Sequence, residues 1–287
     1  MPLAAQHLNA NLTSVYGVSM PRIIYGTAWK KAATAGLVEQ ALNFGFRGID
    51  TACQPKHYHE AGVGDGLMRF LQQGGQREAI YLQTKFTPLS GQDPANVPYA
   101  INASLTEQVQ QSFAVSLQNL HTSYLDCLIL HSPLAEPKQL LEVWRAMEQL
   151  FQSGGVKQLG MSNCYDLALL QYLYTEATVK PAVLQNRFYQ NTHYDQAIRA
   201  FCQAQQLIYQ SFWTLSANPH ILKHALVQQL AHSYQRSAAQ ILFRCLQQIG
   251  ILPLTGTTSA QHMQESLAIA QFELTAEECQ QVAILFV

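Results

Sequence analysis

Short apolar, β-branched runs alternate along the chain with longer stretches whose apolar residues recur every three or four positions. The first pattern belongs to strands buried in a sheet, the second to helices with one apolar face. Strands are predicted over residues 22–26, 46–50, 80–85, 125–131, 156–162, 182–185, 207–211 and 249–254. Helices fall between them, over 35–43, 60–72, 105–120, 138–152, 166–176 and 195–206, then in a divided region 221–248, and over 260–270.

Eight strands, each followed by a helix, point to an α/β fold whose parallel sheet closes into a (β/α)8 TIM barrel. A doubly wound open sheet alternates in the same way, but its dinucleotide-binding form carries a G-x-G-x-x-G turn after an early strand. The nearest text, Gly62-Val63-Gly64-Asp65-Gly66, lies inside a helical pattern and reads as small residues at a helix–barrel contact. No Pro- or Ser-rich linker divides the chain, so one domain over 1–287 is expected. Two loops are long, 86–102 after the third strand and 212–219 after the seventh. Both belong to the C-terminal face of a barrel, where sites are built, although each also reads as plain surface.

Composition narrows the partners. Net charge is −1 and no block of like charges occurs, so nucleic acid is not expected, because neutralising phosphates needs clustered Lys and Arg. No run approaches the roughly 18 apolar residues of a membrane span. The opening residues 1–15 lack the basic start and apolar run of a secretory signal. The six cysteines (Cys53, Cys127, Cys164, Cys202, Cys245 and Cys279) are scattered without a C-x-x-C pair, as in reduced cytosolic proteins. A cytoplasmic protein is expected, monomeric or weakly homo-oligomeric.

Three ionisable residues close three successive strands: Asp50 after FRGI, Lys85 after IYLQT and His131 after LDCLIL. Singly each has a plain reading, as a solvated strand end, a surface lysine or a satisfied histidine. In a barrel, however, these ends converge on one mouth. No activated nucleophile accompanies them, so a Ser/His/Asp triad is not indicated. They suit a tyrosine proton donor, whose phenol of pKa about 10 a nearby ammonium would make more acidic. Tyr58, eight residues after Asp50, is available. His57, His59 and Glu60 also read as metal ligands, but no further ligand cluster joins them. His220 and His224, four apart, lack the Glu of a metalloprotease helix and read as surface or core.

The text GFRGIDTA followed, after an insert, by HYHEAGVGDGL resembles the aldo-keto reductase pattern D-T-A-x-x-Y-x-N-E-x-x-V-G. LQTK, LDCLILHSP, VKQLGMSN, PAVLQNRFY, RSAAQILFRCLQQIGILP and GTTSAQHMQES resemble further segments of that family in the same order. VSMPRIIYGTAWK is similar to its N-terminal capping hairpin and first strand. The resemblance implies an NAD(P)H-dependent carbonyl reductase with a tetrad of Asp50, Tyr58, Lys85 and His131. The family places its Tyr five residues after the Asp, where this chain has Pro55, and counting back from Glu60 puts His57 there instead. Tyr58 is preferred because a phenol fits the chemistry, with His57 the alternative.

The same resemblance implies a nicotinamide held by Ser162, Asn163 and Gln185 and stacked on Phe212, with Gly26, Thr27, Asp50 and Leu215 beside it. The adenosine end falls to Gly256, Thr257, Thr258, His262, Glu265 and Ser266. The resemblance favours NADP, but Leu254 and His262 stand where NADP-specific relatives carry Lys and Arg, so the residues leave NAD as an alternative. Trp29, Phe86, the loop 86–99 and Trp213 are the expected pocket walls, suited to apolar or aromatic carbonyl compounds. Two other readings remain open, a nicotinamide-binding module without catalysis and an unrelated barrel hydrolase or isomerase.

Overall fold

The computed structural model describes residues 11–286, so the opening residues weighed above for a leader lie mostly outside it. Eight parallel strands close a barrel: β3 (Ile24–Gly26), β4 (Gly48–Asp50), β5 (Tyr81–Phe86), β6 (Cys127–Leu130), β7 (Leu159–Ser162), β8 (Val183–Arg187), β9 (Ile208–Phe212) and β10 (Leu252–Thr255). Before them, β1 (Leu12–Thr13) and β2 (Ser19–Met20) form an antiparallel hairpin, pairing Leu12 with Met20. Around the barrel run α1 (Thr34–Phe44), α2 (Glu60–Gln72), α3 (Leu105–Asn119), α4 (Pro137–Gln152), α5 (Leu167–Glu176) and α6 (Gln196–Ala204). The divided region resolves into α7 (Pro219–Leu222), α8 (Ala225–Tyr234) and α9 (Ala238–Gln248), followed by α10 (Ala260–Leu267). A further helix, α11 (Ala276–Ala283), was not anticipated. Among the described residues no helix is long and apolar enough to cross a membrane.

Strand geometry sorts the side chains into two cores. Successive residues point to opposite faces of a sheet. Ile24, Tyr81, Cys127, Ile129, Val183, Leu252 and Leu254 form one cluster inside the barrel, joined by Met20 from the hairpin. Their strand neighbours Tyr25, Leu82, Phe86, Leu128, Leu130 and Leu184 belong to a second, larger cluster with the helices. The inward series on β5 is therefore Tyr81, Gln83, Lys85, and on β8 Val183, Gln185, Arg187. Midway up the barrel Gln83, Gln185 and Gln210 exchange amide hydrogen bonds at 2.9–3.1 Å. This polar layer supports the floor of the cavity above it.

The glycines of α2 sit at helix–helix contacts, not at the barrel contact expected. A Cβ on Gly64 would enter the Asn119 carbonyl of α3, and one on Gly66 would lie 2.5 Å from the Ala35 carbonyl of α1.

Candidate active site

A cavity of about 780 Å³ opens at the C-terminal ends of the strands. Asp50 ends β4, Lys85 is the penultimate residue of β5, and His131 follows directly on β6. Lys85 Nζ lies 2.7 and 2.8 Å from the two Asp50 oxygens and donates to the Thr51 carbonyl at 2.8 Å. Asp50 Oδ1 also accepts from Gln83 at 2.7 Å and Gln185 at 2.9 Å. Burying an ion pair costs desolvation, and it is tolerated where further hydrogen bonds saturate it. The amide layer supplies them.

Tyr58 reaches this pair from the loop between β4 and α2. The inserted Gln54-Pro55-Lys56 winds into a turn, in which the amides of His57 and Tyr58 both donate to the Gln54 carbonyl, at 3.2 and 3.0 Å. The Tyr58 ring centre lies 5.2 Å from Lys85 Nζ and 5.9 Å from the His131 ring, edge-on. His57 turns instead to the rim, its ring 4.1 Å from that of Trp29. Of the two alternatives, Tyr58 is the one beside both Lys85 and His131. Glu60 points away from both histidines, accepting from Thr84, Ser116 and Asn119. Among the described residues no three His, Cys, Asp or Glu side chains are grouped to hold a metal.

Burial pushes the Tyr58 phenol up from its ordinary value, and the Asp50 carboxylate adds to the rise. This corrects the expectation that Lys85 makes the phenol more acidic in the free protein. Asp50 neutralises the ammonium, so desolvation wins and Tyr58 stays protonated. Lys85 itself is lowered by burial, with Asp50 opposing. Burial, then the charges of Lys85 and His57, hold His131 well below the usual imidazole range. It is neutral at pH 7. Its Nδ1 lies 2.7 Å from Thr87 Oγ1.

Ser162, Asn163, Gln185, Phe212 and Leu215 line the same cavity, as do Gly26, Leu254, Gly256 and Thr257. Gln185 Nε2 is committed to Asp50 and Gln210, while its Oε1 accepts from no described residue. Asn163 Nδ2 donates to the His131 carbonyl at 2.8 Å, tying β6 to β7. Trp29 and Trp213 flank the mouth, 59% and 50% exposed. Both adopt left-handed backbone angles, with φ of 65° and 55°, a strain that functional loops often hold.

Residues 22–285 match the model of the aldo/keto reductase family. The chain belongs to that family. It is an oxidoreductase by that membership. The oxidoreductase YtbE of Bacillus subtilis is 30% identical over 283 residues, covering 97% of this chain and 94% of its own. The NAD(P)H-dependent D-xylose reductase of Candida tenuis is 30% identical over 308 residues, covering 94% and 90%. A crystal structure of an aldo/keto reductase from Brucella melitensis superimposes with a TM-score of 0.81 at 25% identity, covering 96% of this chain and 98% of that one.

Several residues expected at the site of this reductase do not line this cavity. Phe86 alternates with the inward Lys85, so its ring faces outward and packs on Tyr99, 5.7 Å between centres. It is not a pocket wall. Thr27 is fully buried, and its hydroxyl and amide both donate to the Asp50 carbonyl, at 2.9 and 3.1 Å. It braces β4 and does not face the cavity. Thr258 and His262 are exposed beyond the lining, Ser266 is buried, and Glu265 borders a separate open groove with Arg236 and Gln240.

Three residues not singled out in the sequence bear on the cavity. Thr87 holds the His131 ring. Lys30, closing TAWK, is buried and donates to the Gly256 carbonyl at 2.7 Å. Burial lowers its ammonium to about 8. Arg187 lines the wall, two residues beyond Gln185. Arg187 and Thr87 had a sequence signal, each lying two residues beyond an inward side chain, Gln185 and Lys85.

Proposed function

We propose that this reductase converts aldehydes and ketones to alcohols, with Tyr58 as proton donor and a reduced nicotinamide dinucleotide as hydride source. The reading rests on one observation, the Tyr58 phenol set between the Lys85–Asp50 pair and His131 at one cavity. The cofactor class fits the residues present. The free Oε1 of Gln185 suits a carboxamide N–H, with Ser162 and Asn163 completing that recess and Phe212 offering a ring face. Gly256, Thr257 and the Lys30 ammonium would take the diphosphate, while Thr258, His262, Glu265 and Ser266 are assigned the adenosine end by family resemblance alone.

Bound there, a reduced nicotinamide would supply the hydride for the carbonyl carbon. Tyr58 donates its hydroxyl proton to the carbonyl oxygen, and Lys85 stabilises the phenolate left behind. Assigning the Thr87 hydroxyl as donor to His131 Nδ1 leaves Nε2 protonated, so that His131 donates to the same oxygen and orients it. Asp50 keeps the ammonium in place. NADPH is the favoured cofactor and NADH a usable one, because Leu254 brings no charge to the 2′-phosphate and His262 does so only when protonated. The aromatic mouth suits apolar and aromatic carbonyls over a broad range. A cytoplasmic setting fits six free, buried cysteines.

The test is NADPH oxidation with a simple aromatic aldehyde. Tyr58→Phe is expected to lower kcat by at least about 10²-fold while cofactor affinity, read by fluorescence titration, barely changes. His57→Ala should keep most of the activity. Full activity in Tyr58→Phe would overturn the assignment, and wild-type cofactor binding without turnover would make the protein a binding module.

A further inference from the structure

Arg187 is the last residue of β8 and faces inward with Gln185. Its guanidinium carbon lies 3.9 Å from the Trp213 ring centre, 5.2 Å from Tyr189 and 6.0 Å from Phe212. An aromatic clamp of this kind fixes a guanidinium by cation–π and stacking contacts while leaving its planar N–H fork free. Nε is buried with no hydrogen-bond partner, and no described carboxylate lies within ion-pair distance. Among the described residues lining the cavity, Asp50 and Arg187 alone carry a formal charge, and Asp50 is neutralised by Lys85. Among the described residues Arg187 is thus the one uncompensated cation of the cavity, set against aromatic rings in a partly dehydrated wall.

We infer that Arg187 is a specificity-determining residue that receives the carboxylate of an anionic carbonyl substrate, so that oxo acids and carboxylated aldehydes are preferred over their neutral counterparts. This rests on the proposed carbonyl reduction and narrows its substrate class, from aromatic and apolar carbonyls at large to those that also carry a carboxylate within reach of Arg187. A planar carboxylate accepts two parallel N–H bonds from a guanidinium, and the desolvated surroundings strengthen that pair. The cofactor's diphosphate is the competing anion. Lys30 and the Gly256 loop stand at the β3–β10 side of the mouth, whereas Arg187 stands on β8 with Gln185, at the carboxamide end. The substrate is the anion that reaches it.

The experiment compares 4-carboxybenzaldehyde with benzaldehyde on wild-type, Arg187→Gln and Arg187→Lys protein. Wild type should favour the carboxylated aldehyde in kcat/KM. In Arg187→Gln that preference should fall by at least tenfold, through KM more than kcat, with Arg187→Lys intermediate and the KM for NADPH unchanged. An unchanged ratio overturns the inference and leaves the reductase intact. A raised KM for NADPH with an unchanged ratio also overturns it, assigning Arg187 to the cofactor. Should neither aldehyde be reduced, the reductase reading fails separately. Isothermal titration of 4-carboxybenzaldehyde then decides for Arg187: tenfold weaker binding to Arg187→Gln upholds its role, and equal binding removes it.

Discussion

Lys30 lies beneath the Gly256 loop, where desolvation disfavours its charged form and lowers its ammonium to about 8. An ordinary lysine is cationic throughout the working range, whereas this one loses its charge as pH rises through 8. A bound diphosphate would raise that value again, so cofactor binding takes up a proton above pH 8. The cofactor's Kd is therefore expected to rise from about pH 8 upward, which fluorescence titration across pH 6.5–9.5 would measure. In Lys30→Met the affinity should be weaker at pH 7 and nearly flat with pH. Tyr58 shows the opposite effect of the same physics, since burial favours its neutral, proton-bearing form. Its position could not be read from spacing. The three-residue insert shifts the register by an amount that only the turn at Gln54 resolves.

Helix α2 carries three glycines because its neighbours come too close for side chains. At Gly64 the obstacle is the Asn119 carbonyl, a backbone atom that cannot rotate away. Gly64→Ala is expected to destabilise the protein by about 1–3 kcal/mol, the usual cost of overpacking, seen as a lower midpoint in urea unfolding. Buried Glu60 ties the start of this helix to β5 and α3 through Thr84, Ser116 and Asn119. That explains its place in the motif without any metal. Helix ends were unevenly legible. Ser104 with Glu107, Ser237 with Gln240 and Thr275 with Glu278 each form a capping box. The last announces α11 in plain text, yet its short apolar face (Cys279 and Val282) gives too little periodicity to mark a helix.

The barrel separates stability from chemistry along its axis. Met20, fully buried, enters from the hairpin among Tyr81, Cys127 and Val183 at the starts of their strands. Gln158 donates to its sulfur at 3.4 Å. The cavity lies at the other end. Met20→Ala should cost about 2–5 kcal/mol of stability, as for other large-to-small core changes, while kcat for an aldehyde at 25 °C stays within about twofold. A large loss of kcat in a folded variant would show that the two ends are coupled.

Periodicity along the chain carried the number and order of the barrel elements, because two-residue and 3.6-residue repeats are local properties. It carried the strand-end trio as well, since Asp50, Lys85 and His131 each close an apolar run. Closure of the sheet settled which side chains meet. Phe86 points away while Lys85 points in, Thr27 turns under Asp50, and Tyr58 rather than His57 swings to His131. Those outcomes depend on which face a residue occupies and on what lies across the barrel, distances of many residues in sequence. Arg187 is the sharpest instance. Its charge is written in the chain, but the missing counter-charge is a property of the assembled wall.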